Sequence, residues 1–306
     1  RDLHSFPTRR SSDLDLNLDY EIPERTTEDD FTAALMGFQD LNIDMSGLND
    51  IIANIDYAKN DPDISGIFLE LSQVGTSTAN IEELRHHIAS FRESGKFVIT
   101  YSETMAQNAY YLATAGDEIY INPDGMLDIH GMATQIMFYK NLLDKLDIEI
   151  QIIRGPNNKF KSAVEPYFLV KMSDANREQM TKLLNSMWYQ VVSDINVSRG
   201  ISIQRINELA DNLALTFDAK VALEEHFVDG LFYRDQIIAR IKELAGIDNS
   251  KKINILTNAQ YASVRPAPKA KANKIAVIYA NGQIIDGDGD DNTIGSITDR
   301  DRKSVV

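Results

Sequence analysis

The run Ile64-Ser-Gly-Ile-Phe-Leu-Glu-Leu71 is largely apolar on both of the faces that a strand would present. Such a run is typical of a strand that is buried on both sides of a sheet. A turn with Gly75 follows it, and the next segment carries apolar residues at helical spacing. The stripe of this predicted helix, which Thr78 can cap and Gly95 ends, comprises Ile81, Leu84, Ile88 and Phe91.

The alternation of strand and helix extends from this unit in both directions. Further strands are predicted at 14–20, 97–101, 118–121 and 148–153, and further helices at 47–58, 105–114 and 137–146. Strands and helices that alternate at this spacing predict an α/β fold of stacked βαβ units with a mainly parallel sheet. Ligand sites in such sheets lie at the carboxyl ends of the strands. The candidate segments are Ser72 to Thr76, Ser102 to Asn108, and the lysine-containing stretch that follows residue 153.

The pattern becomes helical after Pro166. Helices are predicted at 174–199, 204–211, 218–225 and 234–244. This helical extension, from about 167 to 247, is predicted to cover the sheet or to pack on a neighbouring subunit. The first domain is therefore predicted to span residues 15–250.

The C-terminal part of the sequence predicts a linker and a new unit. The linker is placed at 251–273, because Pro266-Ala-Pro-Lys-Ala-Lys-Ala272 has loop composition. Residues 274–300 then open with a strand pair around the hairpin-type turn Asn281-Gly282. The acidic run Asp286-Gly-Asp-Gly-Asp-Asp291 has the spacing of a calcium loop but lacks its closing glutamate, so a polar turn is predicted.

Both ends of the sequence differ from what lies between them. Residues 1–14 share no periodicity with the following segment, and 301–306 end the chain just after the new unit has begun. Both are expected to be non-native, namely translated sequencing-adapter sequence that flanks a fragment of a longer gene. The alternative is a disordered tail at each end.

The composition excludes several classes of function. The chain has 306 residues, a formal net charge of −15 at pH 7 and no cysteine. An acidic surface argues against nucleic acid as a partner, because binding to phosphates needs a basic surface. Without cysteine there is no disulfide framework, thiol nucleophile or thiolate metal site. No apolar run has the length of a membrane span, and no signal peptide is visible, but the true N-terminus is expected to be absent.

Two lysines stand in the stretch that follows the predicted strand at 148–153. Lys159 and Lys161 flank Phe160, so in an extended chain they would point in opposite directions. One of them could then face a pocket, where burial disfavours its charged form and makes it a candidate general base beside a serine. The alternative is that both are solvated loop lysines, since lysine is rarely fully buried.

Other polar groups give weaker signals. His86 and His87 lie near glutamates on a predicted helix, but no set of about four ligands converges, so a solvated helix face is favoured over a metal site. His130 precedes a glycine and is either an acid–base group or a hydrogen-bonding loop residue. The backbone of Gly75 could help to form an oxyanion hole, although a glycine after a strand is more often a turn. No cofactor is expected.

Short segments spread over most of the chain carry a resemblance to a known family. They are Gln107-Asn-Ala-Tyr-Tyr-Leu-Ala113, Glu118-Ile-Tyr-Ile-Asn-Pro123, Asp128-Ile-His-Gly-Met132, Tyr139-Lys-Asn-Leu-Leu-Asp-Lys-Leu146, Ile275-Ala-Val-Ile-Tyr-Ala-Asn-Gly282 and above all Phe160-Lys-Ser-Ala-Val-Glu-Pro166. In this order they resemble the signal peptide peptidase A (protease IV) family in its long two-repeat form. The segment from residue 275 resembles the start of the second repeat.

This resemblance implies a fold and a set of site residues. The fold is a crotonase/ClpP-like arrangement of stacked ββα units, built twice in the full-length protein. The chemistry is that of a serine–lysine dyad in which Lys161 is the general base, with Ser162 and Glu165 expected from their proximity to orient it. The nucleophilic serine would come from the second repeat, since the matching position here is Asn108, which cannot be a nucleophile. The turn with Gly75 resembles a reduced version of the family's oxyanion glycines and is not expected to serve catalysis.

The resemblance also implies a function for the parent protein. That function is a membrane-associated serine peptidase that degrades cleaved signal peptides, with apolar peptides as substrates. The parent would be a ring-like homotetramer, anchored to the inner membrane through a segment missing here and facing the periplasm. This chain alone is expected to be inactive. Two alternatives stay open: a non-catalytic scaffold for substrate binding and assembly, and a crotonase-like enzyme acting on acyl-CoA. The negative net charge counts mildly against the second, which would need a basic pocket for the CoA phosphates.

Overall fold

A computed structural model of the chain describes residues 12–26, 46–266, 283–284 and 293–294. The chain divides into two compact units, Arg1–Arg265 and Pro266–Val306. In the second unit the described residues are two short strands, Gln283–Ile284 and Thr293–Ile294, which pair in parallel. The predicted hairpin turn at 281–282 and the acidic turn at 286–291 lie outside the described residues.

The first unit is built around a sheet of six strands. They are β1 (Ser12–Asn17), β2 (Ile64–Glu70), β3 (Phe97–Met105), β4 (Glu118–Leu127), β5 (Gly230–Leu231) and β6 (Asn254–Thr257). The order across the sheet is β5-β4-β3-β2-β1-β6, and every neighbouring pair is parallel. The predicted α/β class with a mainly parallel sheet is confirmed. The apolar run at 64–71 forms the inner strand β2, in which Ile67, Phe68 and Leu69 are buried.

Helices connect and cover these strands. Within the described ranges they are α1 (Leu48–Ala58), α2 (Thr78–Arg92), α3 (Gln107–Ala113), α4 (Lys140–Lys145), α5 (Glu165–Phe168), α6 (Asp174–Arg199), α7 (Ile203–Asp211), α8 (Ala219–Glu224), α9 (Arg234–Leu244) and α10 (Asn258–Val264). The cap of α2 is Ser77, one residue before the predicted Thr78, and its side chain accepts a hydrogen bond from the Asn80 N–H. The long helix α6 ends at Gly200, which adopts the left-handed conformation typical of a helix end.

Apolar side chains fill both faces of the sheet. One face contributes Leu14, Leu16 and Leu69 to the main core, together with the stripes of α1 and α2. The opposite face forms a smaller cluster with α9, which contains Phe68, Ile99, Tyr101, Tyr120, Ile237 and Ile241. Because both faces are covered, the carboxyl edge of the sheet is the place where loops from several strands meet.

Two segments that the sequence pattern left out of the sheet belong to it. The first strand begins at Ser12, two residues before its predicted start at 14, so the last residues of the predicted tail pair within the sheet. The predicted linker at 251–273 contains β6, which pairs with β1, and the helix α10. The loop composition that placed the linker comes from the run that begins at Pro266, whereas β6 and α10 lie before it.

The strand predicted at 148–153 is absent. These residues form neither helix nor strand, and Ile148, Ile150 and Ile153 are exposed, the last at 96%. Alternating apolar residues suit a half-buried strand, but a strand also needs a neighbouring strand to pair with. In the described residues, no strand of the sheet pairs with residues 148–153. None of the helices in the described residues is long and apolar enough to cross a membrane.

Candidate functional site

The N-terminal end of α3 joins the loops that follow β2 and β4. The Nδ2 group of Asn108 donates a hydrogen bond to the Val74 carbonyl oxygen at 2.5 Å. The Oε1 atom of Gln107 accepts hydrogen bonds from the N–H groups of His130, at 3.0 Å, and Gly131, at 2.9 Å. Two of the three predicted carboxyl-end segments therefore meet at one place on the sheet edge.

Asn108 holds a loop in this arrangement. Its Oδ1 atom accepts from the Val74 N–H at 3.5 Å and from the Ala109 N–H at 2.8 Å, while its Nδ2 group binds the Val74 carbonyl. Since the amide is engaged as donor and acceptor, the side chain fixes the loop after β2 to the start of α3. An amide has no nucleophilic oxygen to offer, so this position supplies structure and no acyl-transfer chemistry.

The glycine at position 75 is explained by a close backbone approach. A Cβ atom at Gly75 would lie 2.3 Å from the Tyr20 carbonyl oxygen. The Gly75 carbonyl in turn accepts a hydrogen bond from the Ile22 N–H at 2.8 Å. Only glycine lets these two segments come so close, which accounts for the residue without a catalytic role.

Of the histidines singled out in the sequence, His86 and His130 are exposed and His87 is partly buried. His130 has Nδ1 3.0 Å from Asp128 Oδ1, in a loop. His87 has Nδ1 2.6 Å from Asp56 Oδ1. Across the part of the chain that the structure describes, no three His, Cys, Asp or Glu side chains converge on a point where a metal ion could bind.

Lys161 lies in an exposed loop between α4 and α5. We call residues 154–168, which end with α5, the lysine loop. Lys159, Phe160 and Lys161 are all exposed, and the Lys159 ammonium lies 4.9 Å from the centre of the Phe160 ring. In the described residues no hydrogen bond or ion pair engages the Lys161 ammonium or the Ser162 hydroxyl, and none joins the lysine loop to the loops gathered around α3. The described residues alone therefore do not form the apolar pocket that a neutral lysine needs.

Glu165 does not orient Lys161 by direct contact, contrary to the expectation from their proximity. Its side chain is only 4% exposed and lies against the start of α6. One carboxylate oxygen accepts from the Ser173 hydroxyl at 2.6 Å. The other accepts from the Ser173 N–H at 3.2 Å and the Asn176 Nδ2 group at 2.9 Å. Both oxygens are thus occupied at the end of a helix.

Burial alone would raise the pKa of Glu165, because it disfavours the charged carboxylate. The hydrogen bonds from Ser173 and Asn176, with a smaller contribution from the Arg154 guanidinium, outweigh burial and hold the pKa below its usual value. Glu165 is therefore an anionic, fully hydrogen-bonded group near neutral pH. No spacing in the sequence signals this contact, although Ser173 is recognisable as a helix cap.

The comparisons with known proteins agree on one family. The model of peptidase family S49 matches residues 90–248. Protease 4 of Salmonella typhi is 31% identical over 271 residues, which cover 86% of this chain and 43% of that protein. Protease 4 of Haemophilus influenzae is 32% identical over 259 residues, which cover 81% of this chain and 42% of that protein.

The chain therefore spans less than half the length of these two relatives. Among solved structures, an enoyl-CoA hydratase/isomerase family protein from Silicibacter pomeroyi aligns over 78% of this chain and 79% of its own. The TM-score is 0.42 and the identity 13%, so this is a distant likeness on which no conclusion rests.

Proposed function

Because the chain belongs to peptidase family S49, we propose that it is the lysine-bearing part of a serine peptidase. In this proposal Lys161 is the general base, and the nucleophilic serine lies outside the chain. The observation that carries the proposal is the Lys-Ser-Ala-Val-Glu-Pro motif at 161–166, which lies inside the region matched by the family. Asn108 stands at the position where the second repeat would carry its serine, and its side-chain amide is engaged in hydrogen bonds. This supports a site in which the lysine and the serine come from different repeats.

The reaction follows from the chemistry of a lysine beside a serine. Neutral Lys161 takes the proton of the serine hydroxyl as its oxygen attacks the peptide carbonyl. The protonated lysine then gives the proton to the leaving amine, and an acyl-enzyme remains. Lys161 takes a proton from the water that hydrolyses this ester and returns it to the serine oxygen.

A general base of this kind has to be desolvated. A lysine in water holds its proton near neutral pH, whereas a lysine in an apolar, enclosed site releases it more easily. Lys161 is exposed in this chain. The proposal therefore requires a further part of the complete protein, or another subunit, to cover the lysine loop and to bring the serine.

Exposed apolar side chains near the lysine loop are consistent with such a cover. Ile148, Ile150, Ile153 and Phe160 are between 40% and 96% exposed. Large apolar surfaces of this kind mark contacts with other proteins or with apolar ligands. We assign them to assembly into a homo-oligomer, a tetramer by analogy with the family, and to the binding of apolar signal peptides. Sedimentation velocity at increasing protein concentration checks the assembly.

In this proposal the parent enzyme is located at the inner membrane, with its catalytic part facing the periplasm. Cleaved signal peptides are apolar and are produced at that membrane, so an enzyme that degrades them would meet its substrates there. The membrane segment would belong to the parent protein. Fractionation of cells that express the complete protein, with protease protection of each compartment, checks this placement.

The isolated chain is expected to cleave no peptide. The reason is that Lys161 has no serine partner in the described residues and no enclosed pocket. The measurement is the hydrolysis of an apolar fluorogenic peptide by the purified chain, with the Lys161→Ala variant of the same chain as the control. Hydrolysis that is lost when a serine of this chain is replaced would show that the nucleophile is present after all.

The alternatives are separated by simple binding and rate measurements. An acyl-CoA enzyme would bind acyl-CoA in a calorimetric titration, and we expect no heat of binding. One observation in favour of a non-catalytic scaffold is that Lys161 is exposed and that its ammonium has no partner in the described residues. Such a scaffold would bind apolar peptides equally well with and without Lys161, and the complete protein would hydrolyse none.

A further inference from the structure

Glu165 is the one buried residue in a long, otherwise exposed segment of the first unit. From His130 to Ala175, through α4, the lysine loop and α5, every other side chain is partly or fully exposed. A segment with so few buried contacts is held mainly by its polar anchors. The carboxylate of Glu165 is the strongest of these, since it accepts three hydrogen bonds from Ser173 and Asn176.

The anchor lies at the end of a helix that is tied to the body of the fold. Near its other end, α6 buries Val191, Val192 and Ile195 in the main core. The Tyr111 hydroxyl of α3 also donates a hydrogen bond to Asp194 Oδ2 of α6 at 2.5 Å. A 26-residue helix fixed in this way is a stiff support, so the position of Glu165 is set by the body of the protein.

A chain of backbone turns leads from Glu165 back to Lys161. The Glu165 N–H donates to the Ser162 carbonyl at 2.9 Å, and the Lys161 N–H donates to the Asn158 carbonyl at 3.0 Å. The Asn158 side chain donates in turn to the Gly155 carbonyl at 3.0 Å. These turns restrict how far the backbone of Lys161 can move relative to the anchored carboxylate of Glu165.

The two ends of the lysine loop are also held together. The Arg154 guanidinium lies 4.9 Å from the centre of the Phe168 ring. The Tyr139 N–H donates to the Pro166 carbonyl at 2.7 Å, and the rings of Tyr139 and Tyr167 stack at 6.0 Å. The two ends of the lysine loop therefore contact each other, and the buried Glu165 can fix the position of the whole loop.

We propose that Glu165 is a positioning residue: its carboxylate, bound to Ser173 and Asn176 at the start of α6, fixes the backbone from which Lys161 projects. This inference rests on the proposed function, because it assigns Glu165 a purpose only if Lys161 is the general base. Glu165 does not touch the lysine. It acts through the turn from Ser162 to Glu165, and its loss is expected to misplace the lysine without removing it.

The first test is amide hydrogen exchange in this chain, read residue by residue by NMR. Glu165→Gln keeps the shape of the side chain and removes its charge. We expect exchange at the Lys161 and Glu165 amides to accelerate by about tenfold or more, the range that follows from losing hydrogen bonds to a charged group. The control is Glu178→Gln, which removes an exposed carboxylate of α6 that accepts a hydrogen bond from Lys182 at 2.8 Å; it should leave these amides unchanged.

The amides of α2 report on the global fold in the same spectra and should exchange at the wild-type rate. Unchanged exchange at Lys161 and Glu165 in Glu165→Gln would overturn the inference. If α2 also loses protection, Ser173→Ala, which removes one donor and keeps the charge of Glu165, is judged by the same two amides against the same α2 reference.

The second test uses the complete protein and separates this inference from the proposed function. With Glu165→Gln we expect kcat to fall by about 10- to 100-fold with little change in KM, because a misplaced general base slows the chemistry while substrate still binds. Wild-type kcat in Glu165→Gln together with an inactive Lys161→Ala would overturn the positioning role alone. Full activity in Lys161→Ala would overturn the proposed function, whatever the exchange rates show.

Discussion

Replacement of Lys161 by alanine in the complete protein is expected to lower kcat for an apolar peptide by roughly 10⁴-fold, the scale seen when one member of a catalytic unit is removed. The serine would keep its position but lose the group that takes its proton. The stability of the isolated chain should hardly change with the same substitution, because Lys161 is exposed there and makes no hydrogen bond or ion pair through its side chain in the described residues. Exposed side chains of this kind contribute little to the free energy of unfolding.

Lys159→Ala is the matched control for this experiment. Lys159 is also exposed, lies in the same loop and carries the same charge. It should leave kcat within a factor of about two, since its ammonium lies over the Phe160 ring and is not the proposed base. Both variants are measured for peptide hydrolysis and for thermal unfolding. A well-folded Lys161→Ala protein that hydrolyses peptide at the wild-type rate would refute the assignment of the base.

A second large effect is expected at Asp13, on stability. The side chain of Asp13 is fully buried in β1, and neither carboxylate oxygen has a hydrogen-bond partner in the described part of the chain. Burial raises the pKa of Asp13 from 3.8 to about 7. Asp13→Leu should therefore raise the free energy of unfolding at pH 8 by up to about 4 kcal/mol, which is the cost of ionising the buried acid.

The sign of the pH dependence follows from the raised pKa of Asp13. The folded state binds the proton of Asp13 more tightly than the unfolded state does. The contribution of this proton to the free energy of unfolding is therefore fully present below about pH 4. It is lost as the pH rises through about 7. Urea unfolding of the wild type, Asp13→Leu and Asp13→Asn between pH 4 and 8 measures this. Asn keeps the size of the side chain but cannot ionise, so the free energy of unfolding of Asp13→Asn should lack this dependence on pH. The account would be contradicted if the free energy of unfolding of Asp13→Asn changed with pH as steeply as that of the wild type.

The parts of the fold that were predictable from the sequence have strong periodicity. β2 and α2 follow from a continuous apolar run and a clear helical stripe, and α6 from its cap and its terminal glycine. The short strand β6 was missed because it has only four residues, which are partly buried or exposed and show no clear periodicity. The alternating run at 148–153 was mistaken for a strand because periodicity does not reveal whether a segment pairs with a neighbouring strand.

The candidate site also has features that the sequence indicates and features that it does not. Lys161 was singled out as a candidate base through a motif, which can be recognised without knowing the fold. The sequence left open whether it faces a pocket or is a solvated loop lysine, because that depends on which elements cover the loop; in this chain it is exposed. The contact of Glu165 with Ser173 and Asn176 depends on how α5 turns back onto the start of α6, and neither periodicity nor spacing encodes that turn.

The most direct test of the central claim is to locate the nucleophile. The complete protein is treated with a serine-directed acylating or phosphonylating reagent, and the modified residue is identified by mass spectrometry in the wild type and in Lys161→Ala. The account predicts a single reactive serine beyond this chain, in the second repeat, whose modification depends on Lys161. Modification of a serine within this chain, or labelling that proceeds equally well without Lys161, would contradict it.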